Sequence, residues 1–367
     1  MNELVLKLNR LSVLLFALLL TQQLSAQIRS SMDSLIHLHV KEGFNGNVYY
    51  SKNDSVIYKR SFGVSNFETN SPLNDSTLFE LASNSKQFTA LATIQLIENG
   101  KLEYQTDVQK ILPAFPYKNI TVEHLLRHQS GLPEYANFMD KKKVWNRDSI
   151  ANNEDVFSIL CQLKPKLHFT PGSQFKYNNT AYVILAMIIE KISGQTYSSY
   201  LEEKIFQPLN MCNTQVIRRK YAPVNIPNNT EGYFKSGKGY EIMNDNKRFI
   251  CGTLNGTYGD AGISSTVLDL EKWKQALRTN TLISSTNKSK MFSTDSISTG
   301  YGMGFFVRNN SFGEYVYHSG GYAGYISWCT YKPSTNEYIV ILCNNDYVKS
   351  VDILLGIYKI ILSQSND

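Results

Sequence analysis

The spacing of apolar residues predicts helices in the middle of the chain and near both termini. In the segment 86–98 an apolar residue recurs at every third position, and an Asn-Gly pair follows as a helix stop. The repeating residues are Phe88, Leu91, Ile94 and Ile97. By the same pattern we predict further helices over 31–42, 180–192, 267–277 and 350–362.

Short apolar runs bounded by turn residues predict strands that are grouped at the two ends of the chain. They cover 47–50, 55–62, 301–307, 314–318, 323–331 and 337–344. The segment 213–258 is rich in Asn, Gly, Tyr and Pro and has no clear period. We therefore predict that it forms a long loop region at the edge of a cleft.

This order of elements predicts an α/β (α+β) fold in residues 27–367. Strands at both ends favour one antiparallel sheet that is built from the two ends of the chain and flanked by helices. We expect a sheet lobe over about 27–80 and 285–367, and an inserted, mostly helical lobe over about 81–284. A cleft between two such lobes is a natural position for an active site.

The first residues have the pattern of a signal peptide. Lys7 and Arg10 precede an apolar run over 11–20, and the small residue Ala26 precedes the predicted cut. The run is about half of the roughly 20 residues that a membrane span requires. We therefore predict a signal peptide at 1–26 and an exported chain, periplasmic or extracellular, with no stable membrane span. Retention of the segment as an anchor is the alternative.

Charge and cysteine content argue against several classes of protein. The formal net charge is +6, and the basic clusters Lys141–Lys143 and Arg218–Lys220 lack the length and the interleaved aromatic residues of a nucleic-acid surface. The five cysteines are widely spaced and include no Cys-x-x-Cys pair, which fits neither a disulfide scaffold nor a zinc site. We therefore predict no nucleic-acid partner, no metal and no cofactor.

Candidate chemistry begins with Ser83-Asn84-Ser85-Lys86 at the start of the predicted helix over 86–98. A serine hydroxyl needs a nearby base before it can attack a substrate. Residues three apart on a helix share a face, so Lys86 can reach Ser83. The positive helix N-terminus and partial burial would lower the pKa of the lysine, which could then accept a proton. The alternative is that Ser83 or Ser85 only caps the helix.

A second motif, Tyr177-Asn178-Asn179, opens the predicted helix over 180–192. A tyrosine beside a cationic lysine can act first as a base and then as an acid. Asn179 can donate to a substrate carbonyl and contact the lysine. The alternative is a helix cap beside a packed tyrosine.

A third motif, His318-Ser319-Gly320-Gly321, ends a predicted strand. Glycines at that point let the backbone approach a ligand closely. A main-chain N–H group there could complete an oxyanion hole. The alternative is a tight turn before the next strand.

In order and spacing the three motifs resemble those of the serine hydrolase family of class C β-lactamases and related penicillin-binding proteins and DD-peptidases. Three supporting segments strengthen the resemblance. Residues 120–132 are similar to the family's IT-x-x-x-LL-x-H-x-SGL stretch, 205–211 to its F-x-PLGM with Asn210 in place of the usual glycine, and 261–270 to its GG-x-x-ST-x-x-DL with Ala261 in place of the first glycine. The resemblance covers roughly residues 32–362.

The resemblance implies a β-lactamase/transpeptidase-like fold and a role for each motif residue. Ser83 would be the acylated nucleophile, and Lys86 and Tyr177 would shuttle its proton. Asn179 would orient the substrate amide, and the backbone N–H groups of Ser83 and Gly321 would hold the oxyanion. The substrate would be a small-molecule or peptide acyl compound, namely a cell-wall peptide, a β-lactam or an ester.

The informative departure from the family pattern is His318. The β-lactamases of this family usually carry Lys-Thr-Gly there, and the positive lysine holds a substrate carboxylate. His-x-Gly occurs in members that are DD-peptidases, D-aminopeptidases or esterases. A histidine with the ordinary pKa of about 6.5 is mostly neutral at pH 7. We therefore expect inefficient β-lactam hydrolysis, a role for His318 in substrate preference, and faster turnover of carboxylate-bearing substrates at mildly acid pH.

Other functions are open at this point. His124 and His128 have a metal-ligand spacing, but the Leu-Leu-Arg between them is not the Glu-x-x of a zinc protease. The Gly-x-Ser-x-Gly elbow of an α/β-hydrolase is absent from the sequence. An esterase of the same fold, and a non-catalytic protein that binds cell wall or acyl ligands on this scaffold, remain as alternatives.

Overall fold

A computed structural model describes residues 25–141, 143–217, 226–243, 250–298 and 300–364. Most of the predicted signal peptide at 1–26 therefore lies outside the described residues. Within the described ranges, no helix combines the length and the apolar character that crossing a membrane requires.

The helices lie at both ends of the chain and fill its middle. They are 25–41 (α1), Ser85–Glu98 (α2), Val108–Ile111 (α3), Val122–Leu126 (α4), Tyr135–Met139 (α5), Asn153–Leu163 (α6), Asn179–Ser193 (α7), Tyr197–Leu201 (α8), Cys251–Leu254 (α9), Val267–Arg278 (α10), Ser285–Phe292 (α11) and Ser350–Ser363 (α12). Short 3-10 turns occupy Ala82–Asn84 and Pro333–Thr335, and a π turn occupies Glu202–Phe206.

The strands are concentrated towards the two ends. They are Gly46–Lys52 (β1), Ser55–Phe62 (β2), Val64–Asn66 (β3), Ser71–Pro72 (β4), Phe79–Glu80 (β5), Gln215–Val216 (β6), Tyr233–Ser236 (β7), Gly239–Ile242 (β8), Ile263–Ser265 (β9), Phe306–Asn310 (β10), Gly313–Tyr322 (β11), Tyr325–Lys332 (β12) and Glu337–Cys343 (β13).

The main sheet is antiparallel and has six strands in the order β10-β11-β12-β13-β1-β2. Strand β1 lies beside β13, with Val48 opposite Ile341, so the two ends of the chain form one sheet. This confirms the predicted α+β architecture, in which one antiparallel sheet is built from both ends of the chain and flanked by helices. The lobe boundaries near residues 80 and 285 stay predictions.

Strand β13 shows that the sheet is covered on both of its faces. Ile339 and Ile341 pack in a cluster with α1 and α12, whereas Val340 and Leu342 belong to the larger core that contains α2, α7 and α10. Alternate residues of a strand point to opposite faces. A strand that is buried on both faces therefore reads as the continuous apolar run seen here.

Two predicted segments differ from the structure. Of the strand predicted over 301–307, only the part from Phe306 onward is a strand, because the preceding glycine-rich bend packs against α2 instead of joining the sheet. A Cβ atom on Gly304 would lie 2.8 Å from the Lys86 carbonyl oxygen. The segment 213–258 is not an unbroken loop, since its described part contains β6, the β7–β8 hairpin and α9. The Tyr240 ring of that hairpin stacks on Phe67, which follows β3, with 4.1 Å between ring centroids.

A small second sheet sets the position of the site. Its strand order is β5-β9-β6, and β5 leads directly into the turn that carries Ser83. Strand β9 follows the segment around Asp260, so the pairing of Phe79 with Ser265 brings that segment beside the Ser83 turn.

Candidate active site

The turn that carries Ser83 has an unusual backbone that its neighbours hold in place. Ala82 adopts a left-handed conformation, with a φ angle of 49°, although it is not a glycine. Its N–H donates to Glu80 Oε1 at 3.1 Å, and the Leu81 carbonyl accepts from the Ser327 hydroxyl at 2.6 Å. Strained backbone of this kind persists only where the surroundings fix it, and it is typical of functional sites.

A buried chain of hydrogen bonds extends this support to other elements. The Trp273 indole N–H of α10 donates to Gln87 Oε1 at 2.8 Å, and the Gln87 amide donates to Asn84 Oδ1 at 2.8 Å. The Asn84 amide then donates to the Ser327 hydroxyl at 2.7 Å. Side chains from a distant helix and from β12 thereby fix the Ser83 turn.

Lys86 lies within hydrogen-bond distance of Ser83, as the sequence predicts. Its Nζ donates to Ser83 Oγ at 3.1 Å, to Asn179 Oδ1 at 2.8 Å and to the backbone carbonyl of Asp260 at 2.8 Å. The alternative of a serine cap does not apply. Asn84 occupies the N-cap position of α2 without a side-chain bond, and Ser85 Oγ accepts from the Ile263 N–H.

Burial changes the proton affinity of Lys86. The side chain is fully buried, and this desolvation lowers the pKa of its ammonium group to about 8. The carboxyls of Asp260 and Glu134 act in the opposite direction, because negative charge favours the ammonium form. A lysine with this pKa is able to accept a proton near neutral pH.

Tyr177 completes the group that was predicted to move the proton. Lys86 Nζ is 5.0 Å from the centre of the Tyr177 ring, and the ring packs against His128 with 4.4 Å between centroids. The Tyr177 hydroxyl is buried and makes no hydrogen bond of normal geometry. Burial raises its pKa well above the ordinary value, and the nearby Ser83 hydroxyl only partly opposes this. The resting tyrosine is therefore a neutral phenol.

Asn179 is the first residue of α7 and links the lysine to an acidic side chain. Asn178 caps the helix, since its Oδ1 accepts from the Ala181 N–H at 2.9 Å. This leaves the Asn179 side chain free to accept from Lys86. The Asn179 backbone N–H donates to Glu134 Oε2 at 2.9 Å.

Strand β11 closes the other side of the site, and its two glycines have different surroundings. A Cβ on Gly320 would meet the Leu81 carbonyl at 2.3 Å and Ser327 Oγ at 2.5 Å, so only glycine fits against the Ser83 turn. A Cβ on Gly321 would have no atom within 4 Å, because this residue borders a cavity together with Ser83. The predicted motif therefore lies inside β11 rather than in a turn.

His318 is neutral and buried in an aromatic cluster. Nδ1 donates to the Ser319 carbonyl at 2.6 Å, so Nε2 accepts from the Tyr301 hydroxyl, 3.3 Å away. Burial and the nearby Lys86 charge lower the pKa of His318 to about 3. The expectation that this ring becomes charged at mildly acid pH is therefore wrong.

The cavity beside Ser83 has a volume of about 240 Å³. Its polar residues include Ser83, Asn179 and Asp260. The remaining wall is mainly apolar and is formed by Ala82, Tyr135, Ala136, Ile250, Cys251, Leu254, Ala261, Gly321 and Tyr322. Residues of the segment that was predicted to edge a cleft, such as Ile250 and Leu254, do line this cavity.

Sequence reasoning missed two carboxyls, those of Glu134 and Asp260. Asp260 Oδ2 accepts from the Tyr135 hydroxyl at 3.1 Å, and burial raises the pKa of both carboxyls. Glu134 directly follows the Ser-Gly-Leu-Pro run of a supporting segment, which is a weak signal. Asp260 has no local signal, because only tertiary packing brings it to Lys86.

The histidine pair that suggested a metal site serves the fold instead. His124 accepts from the Thr121 N–H in a capping box, and His128 Nδ1 accepts from the Asn178 N–H at 3.1 Å. Among the described residues, no three His, Cys, Asp or Glu side chains are grouped to hold a metal ion.

Comparison with known proteins agrees with this geometry. The family model described as Beta-lactamase matches residues 37–357. Penicillin-binding protein 4* of Bacillus subtilis (strain 168) is 35% identical over 315 residues, which are 83% of this chain and 69% of that protein. Protein flp of Staphylococcus aureus (strain MRSA252) is 25% identical over 346 residues, which are 89% of this chain and 65% of flp. The chain thus spans about two thirds of the length of these relatives.

The fold is also shared with a solved structure. The octameric penicillin-binding protein homologue from Pyrococcus abyssi is 26% identical, with a TM-score of 0.77, and the match covers 92% of this chain and 77% of that one. The family match extends over most of the chain and includes every motif that brings Ser83, Lys86 and Tyr177 together. This chain therefore belongs to the β-lactamase family of serine hydrolases.

Proposed function

We propose that the protein is an exported hydrolase that forms an acyl-enzyme on Ser83, as a penicillin-binding-protein-like peptidase or β-lactamase-related hydrolase. The observation that carries the proposal is the 3.1 Å contact between Lys86 Nζ and Ser83 Oγ, beside a buried Tyr177. A hydroxyl with a base in hydrogen-bond reach is the arrangement that nucleophilic catalysis requires.

The resting proton positions assign the first step. Tyr177 is neutral, and burial lowers the pKa of Lys86 to about 8, so the fraction of Lys86 that has lost its proton is the base that takes the Ser83 proton. Ser83 Oγ bonds to the substrate carbonyl carbon, and the carbonyl electron pair moves onto oxygen. The backbone N–H groups of Ser83 and Gly321 hold that oxyanion.

Collapse of the tetrahedral intermediate expels the leaving group, and Tyr177 gives its proton to that group. Lys86 then passes the proton that it took from Ser83 to Tyr177, so the amine and the phenol are both neutral again after acylation. Water then attacks the ester on Ser83 by the same steps in reverse and releases the acid. Each oxyanion donor in such a site contributes about 10²–10³ in rate.

The likeness to penicillin-binding protein 4* supports a penicillin-binding-protein-like acyl hydrolase, and the neutral His318 argues against an efficient β-lactamase. His318 has no positive charge to hold a substrate carboxylate. An esterase of the same fold is the second candidate, since acyl transfer to Ser83 serves esters equally well.

The test is labelling of the mature chain, residues 27–367, with a fluorescent alkyl phosphonate that reacts with activated serines. We expect labelling of the wild type and of Ser85→Ala, and none of Ser83→Ala. An unlabelled wild type would indicate a non-catalytic binding protein. Parallel assays with a D-Ala-D-Ala peptide, a chromogenic cephalosporin and a p-nitrophenyl ester then separate the peptidase, the β-lactamase and the esterase.

The export proposal has its own test. We expect the protein recovered from the periplasm or the medium of its host to start at Gln27, as read by N-terminal mass spectrometry. Recovery of a chain that retains residues 1–26 in the membrane fraction would favour the anchor.

A further inference from the structure

We propose that His128 is a positioning residue that fixes the Tyr177 phenol beside Lys86, where the phenol can give its proton to the leaving group. This inference rests on the proposed function and adds a residue to the same site. His128 belongs to the segment 120–132, which resembles the family pattern but has no role in the proposed chemical steps.

The hydroxyl of Tyr177 does not set the position of its own ring. It is buried and makes no hydrogen bond of normal geometry. A phenol that transfers a proton must nevertheless be held within reach of the reacting group, because a small displacement of such a group slows the reaction strongly. The position of the phenol therefore depends on the contacts of its ring and on the backbone around residue 177.

His128 forms hydrogen bonds with the residues on both sides of Tyr177. Its backbone carbonyl accepts from the Lys176 N–H at 3.0 Å, and its Nδ1 accepts from the Asn178 N–H at 3.1 Å. His128 has a φ angle of 57°, in the left-handed region that is uncommon for a residue other than glycine. One residue with an unusual backbone thus fixes the chain before and after the phenol.

The imidazole ring of His128 is also the nearest aromatic neighbour of Tyr177 in the described part of the chain. The two ring centroids are 4.4 Å apart. The other aromatic rings that contact Tyr177 have centroids 5.9 to 6.2 Å away and belong to His318, Tyr301 and Phe306. His128 therefore contacts the phenol ring directly as well as holding its backbone.

His128 acts through its position and does not carry a proton. Because Nδ1 accepts a hydrogen bond, the proton of the neutral ring is on Nε2, and that nitrogen has no hydrogen-bond partner. Burial and the nearby charge of Lys86 hold the pKa of His128 well below its ordinary value. The ring thus stays in the neutral form that can accept from Asn178.

Further backbone hydrogen bonds join the segment around His128 to the one that leads to Tyr177. The Gly172 N–H donates to the Gln129 carbonyl at 2.9 Å, and the His168 N–H donates to the Gly131 carbonyl at 2.8 Å. These bonds place the two segments side by side and leave His128 at the end that reaches the phenol. Its replacement should therefore move Tyr177 while the rest of the pairing remains.

The experiment compares kcat/KM for p-nitrophenyl acetate and phenyl acetate. The two esters deliver the same acetyl group to Ser83 and differ only in the leaving group. The p-nitrophenolate ion departs readily without a proton, whereas the more basic phenolate needs an acid. The ratio of the two values, nitrophenyl over phenyl, therefore rises when the acid is misplaced. A smaller fraction of folded protein lowers both values equally and leaves the ratio unchanged.

Two substitutions remove different parts of the His128 contact. His128→Leu removes both the acceptor and the aromatic ring, and we expect it to raise the ratio about tenfold or more. His128→Asn keeps an acceptor in place of Nδ1 and tolerates the left-handed backbone. It loses only the ring contact, so we expect a rise of about two- to fivefold.

A double variant and a matched control test whether His128 acts through Tyr177. Tyr177→Phe already lacks the acid, so adding His128→Asn to it should leave its ratio unchanged. His124→Asn is the control, because His124 also accepts a backbone N–H through Nδ1, from Thr121 at 3.2 Å. This substitution should keep the wild-type ratio.

Each outcome decides the proposal. An unchanged ratio in folded His128→Leu overturns it, and if that variant does not fold, an unchanged ratio in His128→Asn does so. A further rise in the Tyr177→Phe background also overturns it, because His128 would then act by another route.

A structural measurement covers the case in which the wild type is labelled by the phosphonate but hydrolyses neither acetate. We then expect a crystal structure of His128→Asn to show the Tyr177 ring displaced from Lys86, and a ring that keeps its position overturns the proposal. Absence of both labelling and turnover in the wild type is a failure of the proposed function itself.

Discussion

At the scale of single residues, the chemistry depends on the proton affinity of Lys86. Burial lowers its pKa from 10.5 to about 8, and Asp260 and Glu134 keep it from falling further. The sequence predicts this base because Ser83 and Lys86 stand three apart at the start of a helix. It could not predict the two carboxyls, since they reach the lysine only through tertiary packing.

We predict that acylation of Ser83 by a neutral ester or phosphonate becomes faster as the pH rises, with a midpoint near 8. The neutral amine is the base, so activity is lost as the pH falls below the pKa of Lys86 and levels off above it. Stopped-flow acylation rates from pH 5.5 to 10 measure this. A flat profile, or a midpoint near 10.5, would contradict the assigned base. His318, with a pKa of about 3, should add no inflection between pH 5.5 and 8.

A second residue-scale prediction concerns the Tyr177 hydroxyl. Tyr177→Phe should lower kcat by about 10²–10⁴, since it removes the acid for the leaving group, and should leave KM nearly unchanged. Because the buried hydroxyl makes no hydrogen bond of normal geometry, its loss should change the free energy of unfolding little. Steady-state kinetics and urea unfolding of the same sample check both parts. A destabilised variant with normal kcat would point to a structural role.

At the scale of elements, the site lies where the Ser83 turn meets β11. The apolar repeat predicts α2 and α7 well, because both helices are long and regularly patterned. The sequence does not show that Ala82 adopts a left-handed conformation. It also does not show that one β11 glycine packs against the Ser83 turn while the other borders the cavity. Both depend on how closely β11 approaches the turn, which is a property of the packed sheet.

We predict that Gly320→Ala lowers kcat by about 10²–10³, because the added methyl must displace the Ser83 turn and with it an oxyanion donor. Gly321→Ala is the matched variant, since its methyl points into open space and leaves the turn in place. Phosphonate labelling rates and thermal unfolding of both proteins provide the comparison. Equal labelling rates would show that the close contact at Gly320 does not position the nucleophile.

At the scale of the whole molecule, the main sheet joins the two ends of the chain and, through β11 and β12, also contacts the Ser83 turn. The sheet that joins both chain ends was predictable, because strands with strong apolar runs occupy those ends. Its register was not, since a pairing such as Val48 with Ile341 depends on residues far apart in the chain.

We predict that Ile341→Ala lowers the free energy of unfolding by about 2–5 kcal/mol, because the side chain is fully buried in the middle strands of the sheet. The rate per folded molecule should remain that of wild type. Urea unfolding gives the first value, and titration of active sites with the phosphonate gives the second. A reduced rate in fully folded protein would mean that the sheet core also tunes the site.

The pairing of β1 with β13 has a consequence for biogenesis. A ribosome finishes β1 early, yet its neighbour β13 emerges only after the helices in the middle of the chain and β10–β12 have been synthesised. The central sheet therefore cannot be completed before β13 has been made, and closing so long a loop is entropically costly and slow. A central sheet that is incomplete until β13 has been made suits passage through a narrow translocation pore before folding, which the proposed export would require.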